Sequence, residues 1–260
     1  LLAVKKAKAM HDVAIGILGG GQLGRMMTIA AHRLGVKQVH ILDPQGPRAP
    51  AALAGAIHHE GKPTDADAVR AIAAQVDVLT VEVEHVDAAT LKQLQSSSHK
   101  SLHIFPTPSA LLVLQDNLFQ KNHFASADVP LGAFRDVPSL DALLGVGAEL
   151  GYPLMLKARR GAYDGRGNAV VRSAADAEAA YASLGAASAA GGLYAEAWCA
   201  FECELAVMVA AARDGSLVSY PVTQTTQVDS MCHTVVAPAS VAAAVTAEAL
   251  RVAEAAVAAL

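Results

Sequence analysis

The sequence predicts an α/β fold in two domains. Two observations carry that expectation. Through residues 13–105, short apolar runs alternate with segments of helical periodicity, the order that builds a parallel sheet. Later, strand-like segments pair across glycine-rich or tight turns, the order of an α+β domain. A length of 260 residues with 53% hydrophobic and 17% charged content provides enough apolar material for two cores.

Taken in order, residues 1–10 (LLAVKKAKAM) carry three lysines and lack the apolar centre of a secretory signal, so they read as an extension outside the fold. Residues 13–18 (VAIGIL) form a strand, GGGQLG a turn, and MMTIAAHRLG a helix that stops at Gly35. A strand at 38–42 follows, ended by Asp43, and DPQGPRAP is a loop. Helix 66–75, strand 76–83 and helix 88–95 extend the alternation, and a polar loop at 96–100 leads to a closing strand at 102–105. The first domain is therefore assigned to 12–106 and the second to 107–260.

Segment 106–130 opens with a proline turn and continues as a helix with Ser109 as its N-cap. Beyond it come a strand at 131–134, a helix at 139–150, and a hairpin of strands 152–156 and 169–172 around KARRGAYDGRGN, residues 157–168. A helix at 174–184 and a small-residue loop at 185–192 precede strands at 194–198 and 203–211. Asp214 and Gly215 then turn the chain into strand 217–221. Helix 241–260 meets no proline, glycine or cap, so the second domain reads as C-terminally incomplete, and no internal repeat is evident.

Composition narrows the function classes. A net charge of −4 argues against general nucleic-acid binding, which needs a basic surface to displace counterions. No apolar run approaches the roughly 20 residues that span a bilayer. Cys199, Cys203 and Cys232 are too few and too irregularly spaced for a disulfide framework, and read as buried thiols in a reducing compartment, with the cytoplasm as the default location.

Two glycine loops carry the chemistry. Gly19, Gly21 and Gly24 satisfy GxGxxG between a strand and a helix, and Asp43 follows Gly24 by 19 positions. That pattern admits an NAD-dependent oxidoreductase, in which Asp43 would hold a ribose hydroxyl. It equally admits a tight turn in a Rossmann-like domain whose helix N-terminus serves another phosphate. The second loop is different. KARRGAYDGRGN joins four cationic side chains to glycines between two strands, so it suits a lid over phosphates rather than a helix-opening phosphate loop.

IGILGGGQLGRM (15–26), LTVEVEHV (79–86), QKNHF (120–124), KARRGAYDGRGN (157–168), YAEAW (194–198) and YPVTQTTQVDSMC (220–232) together resemble the N5-carboxyaminoimidazole ribonucleotide synthetases. These are ATP-grasp ligases of purine biosynthesis, and VEVEHV and TQVDSMC look closest to the fungal form, in which a carboxylase (mutase) domain follows in the same polypeptide. The resemblance implies a pre-ATP-grasp domain followed by an ATP-grasp domain. It implies a reaction in which bicarbonate attacks the γ-phosphate of ATP to give carboxyphosphate, whose carboxyl group passes to aminoimidazole ribonucleotide.

By the same resemblance, Lys157, Ala162, Gly165, Gly167, Asn168, Glu196, Ala197, Trp198, Cys199, Glu204 and Gln227 form the ATP site, with Glu196 at the adenine hinge and Glu204 on the ribose. Tyr163 and Arg166, with Asp164 orienting the arginine, hold the intermediate. Gly21, Gln22, Leu23 and Glu82 contact the ribonucleotide, leaving Glu84 as the carboxylate that caps a neighbouring helix. Dimerisation is implied by resemblance alone. Asn117 stands where relatives carry a base, and the Mg²⁺ ligands are expected beyond Leu260. Gln22 and the YDGRG loop disfavour the related formate-using ribonucleotide transformylases. A catalytically inactive nucleotide-binding module is the remaining alternative.

Overall fold

The computed structural model describes residues 9–97, 102–162, 166–185, 191–228 and 231–260. The chain divides into two compact units between Leu114 and Gln115.

The first unit holds strands β1 (Ala14–Leu18), β2 (Gln38–Asp43), β3 (Ile57–Glu60), β4 (Val78–Val81) and β5 (His103–Ile104) in one sheet of order β3-β2-β1-β4-β5, with every pairing parallel. The strands alternate with α1 (Gln22–Arg33), α2 (Pro50–Leu53), α3 (Ala66–Ala73), α4 (Ala88–Ser96) and α5 (Pro108–Leu114). Because β1 is central it is covered on both faces, which is why it reads as an unbroken apolar run. Leu18, Leu42 and Leu79 pack with Val69, Ile72 and Leu91 on one side. Ile17, Val39 and Ile41 pack with Ala31 and Ala51 on the other.

Several elements depart from the expected pattern, each for a local reason. Strand β3, IHHE, lies within residues 51–65, to which the sequence reading assigned no element, since an exposed edge strand needs no apolar alternation. The single helix expected over 106–130 is two: α5, and α6 (Asn117–Ser126). Asp116 interrupts it by capping α6, accepting the amides of Leu118 at 3.1 Å and Phe119 at 3.0 Å. At the start of α5 the cap is Thr107, not Ser109, with Thr107 Oγ1 accepting the Ala110 amide at 3.1 Å. Leu111 joins the first unit's core, so α5 packs with the elements before it.

The second unit is built on β6 (Phe134–Val137), β7 (Leu154–Ala158), β8 (Asn168–Val171) and β9 (Leu193–Ala197), an antiparallel sheet of order β6-β9-β7-β8. Leu154, Leu156, Ala158, Leu193 and Ala195 face a core completed by Leu143 and Val146 of α7 (Leu140–Leu150) and Ala177 of α8 (Ala177–Ser183). The two-residue period of a strand turns Met155, Lys157, Tyr194 and Glu196 to the other face.

Further along lie β10 (Glu204–Ala206), β11 (Val209–Ala211), β12 (Leu217–Ser219), β13 (Thr223–Val228), β14 (Met231–Val236) and α9 (Ala243–Ala258). Strand β6 begins at Phe134, where the expected strand ends. The strand expected over 203–211 breaks after Ala206, because β10 joins a β10-β13-β14 sheet while β11 pairs with β12. The β13–β14 hairpin was not expected, as β14 is exposed along its whole length and its sequence carries no buried alternation. Helix α9 ends at Ala258 rather than running to residue 260. The cysteines are not buried thiols: Cys199 and Cys232 are exposed and Cys203 is half-buried. Among the described residues no helix is long and apolar enough to cross a membrane.

Candidate functional site

The glycine turn of the first unit is filled by a carboxylate of the protein itself. Glu82 follows β4 directly, its amide bonding Leu18 O at 2.9 Å, so its side chain reaches the N-terminus of α1. There Glu82 Oε2 accepts the Gly21 amide at 2.7 Å and Oε1 accepts the Leu23 amide at 3.1 Å. The second acid is engaged similarly: Asp43 accepts the Gly20 amide at 3.0 Å and the Gln45 amide at 2.8 Å.

The glycine pattern thus has a structural cause. A Cβ on Gly21 would lie 2.6 Å from Glu82 Oε1, and one on Gly24 would lie 2.8 Å from Gly19 O. The amides that a pyrophosphate would take in a dinucleotide site are already bonded to Glu82, and the negative charge favoured at a helix N-terminus is already present. A nucleotide phosphate at this turn would have to displace a carboxylate. The carboxylate that caps α1 is therefore Glu82, and Glu84 lies 3.5 Å from His85. Gln22 and Leu23 are exposed on the first turn of α1.

In the second unit, Lys157 and Glu196 meet across adjacent strands. Register brings Lys157 of β7 opposite Tyr194 of β9, and Glu196 stands two residues further along the same face. Lys157 Nζ lies 3.4 Å from Glu196 Oε1 and 6.0 Å from the centre of the Tyr194 ring. A second ammonium reaches the same oxygen, Lys121 Nζ of α6 at 3.1 Å, itself 5.4 Å from the Phe134 ring centre. The Tyr194 phenol stands on the same face of β9, beside that carboxylate.

Burial pushes the Glu196 carboxyl up, but Lys157, Lys121 and the bonds from Lys121 and Tyr194 outweigh it and hold it below its ordinary value. Burial, reinforced by the Glu196 charge, pushes the Tyr194 phenol well up, so it remains a donor. Two ammonium groups on one carboxylate oxygen leave an excess positive charge in a partly buried place. That arrangement favours an anion.

Two further cations of KARRGAYDGRGN, Arg159 and Arg160, to which sequence reasoning assigned no role, engage the protein itself. Arg159 Nε and Nη2 donate to Asp116 Oδ1 and Oδ2 at 3.1 and 2.8 Å, and Arg160 Nη2 lies 3.5 Å from Oδ2. Burial pushes the Asp116 carboxyl up, yet the bond from Arg159, the Phe119 amide and the charges of both arginines hold it below the carboxylate range. These two arginines therefore tie the end of β7 to the start of α6. Asn117 strengthens the tie, its amide bonding Arg159 O at 2.8 Å and Nδ2 bonding Ala158 O at 3.3 Å. Where a basic residue was expected, Asn117 is a backbone bracket.

The remaining expected residues fall on the same framework. Gly167 has φ +80°, and its carbonyl accepts the Ala158 amide at 2.7 Å, closing the base of the β7–β8 loop. Asn168 opens β8 opposite Lys157, Ala162 is half-buried and Arg166 is exposed. Tyr163, Asp164 and Gly165 lie outside the described residues, so the orientation of Arg166 by Asp164 falls there too. Ala197 ends β9, with Trp198 and Cys199 exposed just beyond it. Glu204 of β10 lies opposite Thr225, and Gln227 of β13 opposite Cys232, both on the β10-β13-β14 sheet. Sequence reasoning gave no role to Lys121 or Asp116, whose partners are distant in the chain. Among the described residues no group of three or more His, Cys, Asp or Glu side chains could hold a metal ion.

Comparison with known proteins accounts for this architecture. A family model described as the ATP-grasp domain matches residues 122–260. The chain belongs to the ATP-grasp family. A second model, the ribonucleotide synthetase preATP-grasp domain, matches residues 12–115, ending where the two units divide. Phosphoribosylaminoimidazole carboxylase of Candida albicans is 42% identical over 236 residues, which is 89% of this chain and 40% of the relative. The crystal structure of carboxyaminoimidazole ribonucleotide synthase from Aspergillus clavatus complexed with ATP superposes with a TM-score of 0.88 at 39% identity, covering 97% of this chain and 64% of that one. A structure of N5-carboxyaminoimidazole synthase from the same organism, in complex with ADP and 5-aminoimidazole ribonucleotide, gives a TM-score of 0.87 at 37% identity with the same coverage. This ATP-grasp chain thus spans about 40% of the length of its curated fungal relative and 64% of the solved ones.

Proposed function

We propose that the protein carboxylates 5-aminoimidazole ribonucleotide to N5-carboxyaminoimidazole ribonucleotide at the expense of ATP, within purine biosynthesis. Bicarbonate oxygen attacks the γ-phosphorus of ATP, ADP leaves, and carboxyphosphate forms. The amine of the ribonucleotide then takes the carboxyl group, releasing phosphate and a proton.

The observation that carries the reading is the likeness, over 97% of this chain, to a synthase solved with ADP and the ribonucleotide, joined to the cationic Lys157–Glu196–Lys121 cluster beside the glycine-rich loop. The lysine charge would neutralise the triphosphate, and the loop after β7 would cover it. Arg166 and Tyr163 would hold the doubly anionic carboxyphosphate, and Glu204 the ribose. In the first unit Gln22, Leu23 and Glu82 border the proposed ribonucleotide site, where Glu82 sets the shape of the turn by capping α1.

Magnesium would neutralise charge on the nucleotide phosphates in such a reaction. Among the described residues no cluster of acids or histidines forms a site for it. The length of the curated fungal relative accords with a second, carboxylase (mutase) domain in the natural polypeptide.

The test is ADP formation by the full-length protein. It should require bicarbonate and aminoimidazole ribonucleotide together. Turnover independent of both would refute the assignment, and turnover with formate in place of bicarbonate would point to a transformylase.

A further inference from the structure

We infer that Lys121 is a positioning residue of the nucleotide site, holding Glu196 so that the Lys157 ammonium is available to the triphosphate. The inference rests on the ATP reading above and adds a residue to it.

The geometry is unequal in a telling way. Both ammonium groups meet Glu196 Oε1, but Lys121 is nearer, at 3.1 Å against 3.4 Å, and its side chain is less exposed, at 19% against 29%. Lys121 also lies against the Phe134 ring, on the strand that pairs Phe134 with Glu196, and it projects from α6, whose start is fixed by Asp116. Lys157 stands at the opening of the loop.

Glu196 alone would be a poor neighbour for a triphosphate. It is a half-buried anion, and with Lys157 as its only cation it would compete with the incoming phosphates for that ammonium. With Lys121 in place the carboxylate keeps a counter-charge when Lys157 turns to the ligand, so the exchange leaves no unpaired buried charge. Lys121 acts through Glu196 and needs no contact with ATP. A base at this point of α6, one helical turn after the neutral Asn117, thus contributes to anion affinity indirectly.

Calorimetric titration of the full-length protein with adenosine and with a non-hydrolysable ATP analogue tests this. Lys121→Met should weaken the ATP analogue about tenfold and leave adenosine within about twofold, the loss expected for removing one partly buried counter-charge. Lys121→Arg should restore the analogue to within about threefold, since a guanidinium can still pair with Glu196. An unchanged analogue affinity in Lys121→Met overturns the inference. So does an equal loss for both ligands, which is what a purely structural lysine would give, or a wild-type protein that does not bind the analogue. Carboxylation by the same wild-type preparation is measured separately, so a protein that binds ATP but fails to carboxylate refutes the functional assignment and leaves the Lys121 result to be judged by binding.

Discussion

Arg159 holds Asp116 through two parallel hydrogen bonds of 3.1 and 2.8 Å, and the same aspartate caps helix α6. One side chain, 6% exposed, therefore fastens the root of the glycine-rich loop to the helix that carries Lys121. Removing it would leave a cap unmade and a guanidinium stranded.

Asp116→Ala should accordingly destabilise the protein by about 2–4 kcal/mol, the sum expected for a lost cap and a broken, largely buried ion pair. Asp116→Asn, which can still cap, should cost clearly less. Urea unfolding of the two variants checks the order. Equal midpoints for wild type and Asp116→Ala would show that the ion pair does not hold the loop root.

The turn at Gly21 makes a second expectation sharp. Glu82→Ala removes the acceptor of two amides at the start of α1 and should cost about 1–2 kcal/mol. Gly21 has φ −73°, a conformation open to any residue, so Gly21→Ala costs only through contact with Glu82. In a Glu82→Ala background most of the Gly21→Ala penalty should vanish. A double-mutant cycle measures that coupling, and additive effects would contradict the filled-turn account.

Acid sensitivity should come partly from two stacked histidines. His40 of β2 is 6% exposed, its Nδ1 lies 2.9 Å from His59 Nε2, and its Nε2 has no hydrogen-bond partner among the described residues. Burial first, then the neighbouring histidines His59 and His58, push both pKa values below the ordinary histidine value. A lowered folded value means that the unfolded chain takes up protons first. The stability is present above about pH 6.5 and is lost as the pH falls below it. Urea midpoints should drop between pH 7 and pH 5, and His40→Leu should flatten that slope. A slope unchanged by His40→Leu would remove the pair as its source.

What was legible in the sequence follows from whether a feature is local. Strands β1, β2 and β4 announced themselves because burial on both faces demands apolar runs, and the β7–β8 hairpin because its glycines stand between two such runs. Strands β3, β13 and β14 did not, since edge and exposed strands carry polar residues such as His58, His59, Thr225 and Gln227. GxGxxG was legible as a turn but not as a turn closed by Glu82, 61 residues from Gly21. Pairings across such distances have no local signature. The same holds for Arg159 with Asp116, 43 residues apart, and for Lys157 with Glu196, 39 apart, which family resemblance placed in one site without pairing them.

The most direct test of the proposed chemistry is the fate of bicarbonate oxygen. In a full-length reaction with ATP, aminoimidazole ribonucleotide and ¹⁸O-labelled bicarbonate, attack on the γ-phosphorus predicts one labelled oxygen in each phosphate released with the carboxylated product. Phosphate free of label, formed while the ribonucleotide is carboxylated, would contradict it.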